Sequence, residues 1–507
     1  MTTPHHAQKL KGWQIATFAL PAIPISALGL PLVVHLPYFY ENHVGMSAAA
    51  VGWVLFILRL WDVVTDPALG VLSDRYSTKW GRRRHWIVLS VPIIAVATYF
   101  LFIPPEGAGA FHLGLWMFIL YVGWTLLTIS HMSWGAELSN DYHERSRIQG
   151  WREFALIGGM FGVLAMPAIM EFFVEDLKQS DIVYYMGMFV IILLPVGVAA
   201  AVSFVHERPA PPKEPIDWRE ALRVIANNKP LRYLLAADFL QAAGTGVTGT
   251  LYFWFITLTL DMGEWANYML LFYFLAGVIA VPAWIQLSYR VGKHKTFAIA
   301  MYYGALAVFP LFLIPPGLFW ITLGGFIFFG LAYGAASFLL RAIMADIKDQ
   351  DAVESGQDKT GIYFSLLTLT NKIGYATALL TLPVLHYFGV ESGAGAQNSA
   401  EGLFALKLMY LGLPGILFLA AGWIMWEFPL DQKAQETLQQ ALQGQQPNLA
   451  FAKGSDSVTM GGVGAKPMPS LSAAAVTAQD QSGATASAAP PPDAAPDDAK
   501  KDPPDTA

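Results

Sequence analysis

Two carboxylates and an arginine interrupt a stretch otherwise made for lipid: RLWDVVTDP, residues 59–67, between VGWVLFIL and ALGVL. On a helix Asp62 and Asp66, four apart, lie on one face within ~6 Å of each other, with Thr65 beside them and Arg59 one turn before Asp62. Each ionised group near a bilayer centre costs ~3 kcal/mol or more, and such residues usually mark the path of an ion or a substrate. Like charges forced together call for a cation. A hard monovalent ion such as Na+ takes oxygen ligands, by analogy with other hard cations; alternatively, one carboxylate of the pair keeps a proton. A structural arrangement is also open, an Arg59–Asp62 ion pair with Asp66 closing the helix near Pro67. It accounts for one aspartate better than for two.

The elements that must hold this pair are membrane helices. Of 507 residues, 55% are hydrophobic and only 13% charged, with a mean hydropathy of +0.44, whereas soluble domains are ~25% charged. Apolar stretches long enough to cross ~30 Å of hydrocarbon recur along almost the whole chain. They predict about twelve spans: 13–40, 48–73, 84–104, 112–138, 153–173, 183–205, 231–259, 265–288, 295–315, 318–345, 360–388 and 403–428. Cysteine is absent, which excludes disulfides and thiolate metal sites. Much of the net charge of -6 comes from a polar tail and says little about partners. The first apolar stretch runs past residue 30 without a cleavage pattern, so no removable signal peptide is expected.

Alternate loops are basic, DRYSTKWGRRRH, NDYHERSRIQGWR, the long loop after span six, and YRVGKHK, while the loops between them are almost free of Lys and Arg. Positive charge stays inside, so both termini and the basic loops are expected in the cytoplasm of a plasma or inner membrane. The long loop with PAPPKEP divides the chain into a six-span half at 1–206, a central loop at 207–230 and a second six-span half at 231–428. That division suggests an internal duplication of the kind found in secondary transporters, its traces being GVLSDRYSTKWGRRR and QLSYRVGKHK. The first helix of each half looks interrupted, by Pro21, Pro24, Pro31 and Pro37 in one and by Gly244, Gly246 and Gly249 in the other. Such interruptions either line a wet cavity or are kinks and close-packing glycines. From 429 to 507 Ala, Pro, Ser, Gly and Asp come to dominate, and that tail is predicted to be disordered and cytoplasmic.

The segment WDVVTDPALGVLSDRYSTKWGRRRHW resembles the signature of the glycoside-pentoside-hexuronide:cation symporters, the melibiose-permease branch of the major facilitator superfamily. SWGAELSNDYHERSRIQGWRE and ADIKDQDAVESGQDKTGIYFSLLTLTNKIG continue the resemblance, which covers about 15 to 428. It implies an all-α polytopic fold of twelve transmembrane helices in two six-helix halves. The implied activity is cation-coupled import of a sugar or sugar derivative by alternating access, with Na+ or H+ as coupling ion and no other cofactor. It implies a cation site of Asp62 and Asp66 with Thr65 and, on the fourth span, Thr128. Arg152 and Lys372 fall at or near basic residues of the sugar and coupling network, and Trp134 lies beside the position of a sugar-contacting aromatic. The two acids that grip galactoside hydroxyls correspond here to Ser26 and His131, which makes melibiose itself doubtful. With His131, Arg152 and Lys372 in the cavity, the substrate is either anionic, a hexuronate or glucuronide, or these cations pair with Asp62, Asp66 or Glu153 while His131 is a neutral helix contact. The resemblance assigns gating to the loop between spans two and three, with Asp74 and Arg75 pairing and releasing, and Arg59 is grouped with them; Arg82, Arg83 and Arg84 either join this latch or fix topology.

Two other readings stand beside this one. Related sodium-dependent symporters of the same fold serve lysophospholipids, and a non-transporting membrane receptor would use the same body. No Ser-His-Asp spacing, Walker loop, HExxH or nucleotide fingerprint occurs, so no enzyme is expected. Nucleic-acid binding has no basis, and the expected partners are a small carbohydrate and membrane lipid, the chain acting as a monomer.

Overall fold

In a bilayer no water satisfies the backbone, so a spanning segment must bond to itself, and helices make up nearly all of the described chain. The computed structural model describes residues 10–139, 142–174, 177–207, 218–355, 359–392 and 396–429. One compact unit is Met1–Pro447; a second, Asn448–Ala507, and with it nearly all of the expected tail, lies outside the described residues.

The first half contains α1 (Gly12–Asn42), α2 (Ala48–Arg75), α3 (Arg84–Phe102), α4 (Ala110–Glu137), α5 (Tyr142–Phe173) and α6 (Gln179–Phe204). A short helix, α7 (Trp218–Asn227), lies in the central connection. The second half contains α8 (Lys229–Thr250), α9 (Ala266–Val291), α10 (Lys293–Leu313), α11 (Phe319–Gly330 running on into Tyr333–Ser355), α12 (Thr360–Ala378) and α13 (Ala400–Trp426). Among the described residues nine of these are long and apolar enough to cross a membrane. The other three expected spans are the helices α5, α8 and α12, which carry Arg152, Asp238 and Lys372. In α8 and α12 the polar residues around Asp238 and Lys372 lower the hydropathy of the span.

Side chains set several helix starts. The Ser47 hydroxyl accepts the Ala50 N–H at 3.2 Å to open α2, and Asn228 Oδ1 accepts the Leu231 N–H at 2.9 Å to open α8. The first helix of each half is irregular: α1 passes through a π-turn at Pro31–His35, and α8 continues through Tyr252–Trp254 into another at Phe255–Thr259. The glycines of α8 serve packing instead. A Cβ on Gly244 would stand 2.6 Å from the Phe418 ring, and one on Gly246 would stand 2.7 Å from Ala378 Cβ.

The halves meet through α2 against α12 and through α5 against α9. In span order these are the second with the eleventh and the fifth with the eighth, and a shift of six exchanges one pair for the other, as an internal duplication requires. A second trace lies on the basic face. Arg82 and Arg83 at the start of α3 donate to Glu137 Oε1 at the end of α4, at 2.8 and 3.1 Å, and Lys293 at the start of α10 pairs with Asp346 of α11 at 2.6 Å. These are the loops in which the sequence repeat is readable. On the opposite face, Glu41 at the end of α1 accepts the Trp254 indole N–H at 2.5 Å, the Ser392 hydroxyl at 2.9 Å and the Ser392 N–H at 3.4 Å, tying the halves together there.

Candidate functional site

The α2 register turns Asp62 and Asp66 toward α4 and α12. Asp62 is 3% exposed, and both carboxylates meet the Lys372 ammonium of α12: Asp62 Oδ2 at 2.7 Å, and Asp66 Oδ2 in a second bond from the same nitrogen. The Thr125 hydroxyl of α4 lies 2.8 Å from Asp66 Oδ1 and 3.2 Å from Asp62 Oδ1, its single proton shared between them. Arg59 Nη1 stands 3.9 Å from Asp62 Oδ2, and its guanidinium lies over the Tyr121 ring at 5.5 Å. Two negative charges at one point of the bilayer are thus offset by the ammonium and, more distantly, by the guanidinium. Ionised side chains in a membrane interior pair in this way because each alone is costly.

Packing of α2 against α12 makes this contact, and at its other end α2 packs on the short helix Thr381–Tyr387 that follows α12, an approach that Gly52 permits. A Cβ there would lie 2.6 Å from Pro383 Cδ, 2.8 Å from Leu382 Cβ and 2.9 Å from the Leu379 carbonyl oxygen. Pro67, directly after Asp66, removes one helical N–H and leaves the Val63 carbonyl without its usual donor.

The other expected site residues fall in several places. Thr65 bonds back to its own helix, to the carbonyls of Trp61 and Asp62, and Thr128, one turn from Thr125, has a buried hydroxyl with no hydrogen-bond partner. The α4 hydroxyl that meets the carboxylates is therefore Thr125, because the α2–α4 register brings that turn level with the pair. His131 is fully buried, bonds through Nε2 to the Phe18 carbonyl at 2.8 Å and stacks on the Phe18 ring at 4.5 Å. Trp134 is also fully buried, edge-on to Phe18. The Ser26 hydroxyl donates to the Leu156 carbonyl at 2.5 Å, at the crossing of α1 and α5 where a Cβ on Gly159 would strike the Ile23 carbonyl oxygen. These three residues pack the first half. Arg152, 6% exposed, pairs with Glu153 at 3.3 Å.

Of the expected gating residues, Arg75 is exposed in the last turn of α2, and the Asp74 side chain lies outside what the structure describes. The neighbouring arginines bond to residues close by. Besides Glu137, Arg83 reaches Ser73 Oγ at 3.0 Å, and the Glu207 carboxylate accepts the backbone N–H groups of Arg82, Arg83 and Arg84 at 2.7, 2.9 and 3.2 Å, capping α3.

A cavity of about 270 Å³ lies between α8, α11 and α12, and sequence reasoning missed its polar residues. Asp238, 1% exposed, accepts the Thr370 hydroxyl at 2.5 Å on Oδ2 and the Asn371 amide at 3.3 Å on Oδ1; Gln241 and Arg341 share the wall. Asn371 and Lys372 are neighbours, so one turn of α12 touches both the cavity and the aspartate pair. The available signal was a polar stripe on span seven, Asp238, Gln241, Thr245 and Thr248, at helical spacing.

A two-half bundle with an ionisable cluster between its halves is the build of a secondary transporter. The profile of the MFS/sugar transport protein family matches residues 17–432, and the chain belongs to that family. It is similar to the inner membrane symporter YicJ of Escherichia coli (strain K12), 24% identical over 76% of this chain and 85% of that protein. It is likewise similar to the sodium-dependent lysophosphatidylcholine symporter 1-A of Danio rerio, 25% identical over 85% and 88%, and to the isoprimeverose transporter of Lactiplantibacillus pentosus, 22% identical over 76% and 81%. The solved structure of the nucleoside transporter NupG shares its fold, with a TM-score of 0.58 at 12% identity, covering 82% of this chain and 100% of that one.

Proposed function

We propose that this chain is a cation-coupled symporter that imports a sugar or sugar derivative across a plasma or inner membrane, with both termini cytoplasmic. The observation that carries the reading is the Lys372 ammonium seated between Asp62 and Asp66. It occupies the place a coupling cation would take, so ion and lysine compete for one pair of carboxylates. Arrival of Na+ or a proton frees the lysine and with it the α12 turn that borders the cavity. Ion binding and substrate binding are then linked through one element rather than through distance alone.

A potential of ~100 mV contributes ~2.3 kcal/mol per cation, and a tenfold ion gradient adds ~1.4 kcal/mol. Together they sustain accumulation of a neutral solute by roughly several hundredfold. The family description and relatives named as glycoside or isoprimeverose carriers support a sugar; the polar cavity walls suit hydroxyl groups better than an acyl chain. The lysophosphatidylcholine relatives make lysolipid the control substrate.

The test is uptake into liposomes of labelled sugars, sugar acids and a lysophospholipid under an inward Na+ gradient, an inward H+ gradient or neither. Wild type is compared with Asp62→Asn/Asp66→Asn. Accumulation under one gradient that the double substitution abolishes supports the reading; a carrier that moves no sugar under either gradient overturns it.

A further inference from the structure

We propose that Asp238 is the second partner of Lys372: when the coupling ion takes the Asp62 and Asp66 pair, the displaced ammonium crosses to Asp238. Asp238 is thereby a positioning residue for ion binding, an assignment that rests on the symporter reading.

Three consecutive residues of α12 meet two acid sites. Thr370 donates its hydroxyl to Asp238 Oδ2 at 2.5 Å and Asn371 its amide to Asp238 Oδ1 at 3.3 Å, while Lys372 bonds Asp62 at 2.7 Å and also Asp66. Asp238 stands on α8 in the same half as this turn; the aspartate pair stands on α2 in the other half. Lysine carries its charge on a flexible four-carbon stem, and here the stem starts one residue from a contact with Asp238. Asn371 lines the cavity of about 270 Å³, which leaves room beside that contact.

Asp238 has an unmatched charge to receive it. The residue is 1% exposed, and among the described residues no lysine or arginine stands within ion-pair distance of it, Arg341 lying only within electrostatic reach. Holding Thr370 and Asn371 takes two acceptor positions, whereas an ionised carboxylate offers about four. Two positions and a full charge are left over, and an ionised group inside a membrane is costly without a partner. The neighbouring acids are already matched, Asp62 and Asp66 by Lys372 and Glu153 by Arg152 at 3.3 Å. An ammonium that loses Asp62 and Asp66 to the ion therefore has in Asp238 a carboxylate with no close counter-charge, bordering its own turn.

The exchange changes what the lysine holds together. Without the ion it links α12 to the first half; with the ion it links α12 to α8, so a bond between bodies becomes a bond inside one. It also carries the three ammonium donors to the wall of the cavity.

The experiment is a double-mutant cycle on ion affinity, which isolates the coupling of two side chains from their separate effects. The purified full chain is titrated with Na+, or with H+ if that ion drives uptake, and followed by tryptophan fluorescence. Asp238→Asn leaves the displaced lysine without a partner and should weaken ion binding by about tenfold or more, the worth of a hydrogen bond between charged groups. In a Lys372→Gln background the same substitution should cost at least about fivefold less. Arg341→Gln gives the opposite sign: it removes the competing cation beside Asp238 and should tighten ion binding severalfold, again mainly when Lys372 is present. A gain of affinity is not the mark of a damaged fold, so this variant decides the matter should Asp238→Asn fail to fold. An equal loss for Asp238→Asn in both backgrounds overturns the inference, as does an Arg341→Gln protein that binds the ion no better than wild type. If either result comes with ion binding that Asp62→Asn/Asp66→Asn abolishes, the symporter reading stands without this exchange; a wild type that binds neither ion removes both.

Discussion

At the scale of residues, the Asp62–Asp66–Lys372–Thr125 cluster makes two separable predictions. Thr125 contacts both carboxylates and Thr128 neither, so Thr125→Ala should lower affinity for the coupling ion by about ten- to a hundredfold, the cost of one hydrogen bond to a charged group, while Thr128→Ala leaves it within twofold. Ion titrations of the two variants followed by tryptophan fluorescence would decide this, and equal effects would remove Thr125 from the site. Lys372→Gln strips the pair of its counter-charge, and breaking a buried pair by deleting one partner costs ~3–5 kcal/mol. The ion-free variant should therefore melt lower than wild type, and the coupling ion should raise its melting temperature by more than it raises that of wild type. Equal ion-induced shifts would mean that lysine and ion do not compete. Much of this cluster was legible, since two carboxylates one turn apart in an apolar run stand out by their cost. The choice between Thr125 and Thr128 was not, because sequence spacing fixes neighbours along one helix and says nothing about the level at which another crosses it.

At the scale of elements, the packing of α2 on the short helix Thr381–Tyr387 that follows α12 depends on Gly52, where any side chain meets Pro383, Leu382 and the Leu379 carbonyl. Gly52→Val should hold the two helices apart and lengthen the reach from Lys372 to the pair. The expected outcome is lost ion-driven uptake with the helical circular-dichroism signal preserved; normal uptake would show that the helices tolerate separation. The broken character of α1 and α8 was legible from their prolines and glycines, but its cause in α8 was not. Gly244 and Gly246 turn out to be seats for Phe418 and Ala378, and the irregular turn follows later, at Phe255–Thr259. Asp238 and Arg341 escaped notice because neither has another charged residue within one turn of its own helix, and only folding brings span seven beside spans ten and eleven.

At the scale of the whole molecule, the helical segments, the two halves and the duplication follow from hydropathy and from the loops that carry its faint repeat. Those loops brace each half internally, Arg82 and Arg83 to Glu137 in one and Lys293 to Asp346 in the other, which lets each half move as a body. Glu41 is the contrasting case, a bond between bodies, and its Gln variant should favour the form open on the side away from the basic loops. The chain has no cysteine of its own, so a single Thr250→Cys, buried in wild type, reports this by its labelling rate with a membrane-impermeant maleimide. A severalfold rise in Glu41→Gln is expected, and an unchanged rate would show that the latch does not hold the halves. Because Glu41 gathers three bonds on one carboxylate, parting the halves there loses all three in a single step. That step is expected to be slower than loading and to steepen more with temperature, which uptake and binding measured on cooling would check. In the cold the protein would still fill its sites while turnover stops.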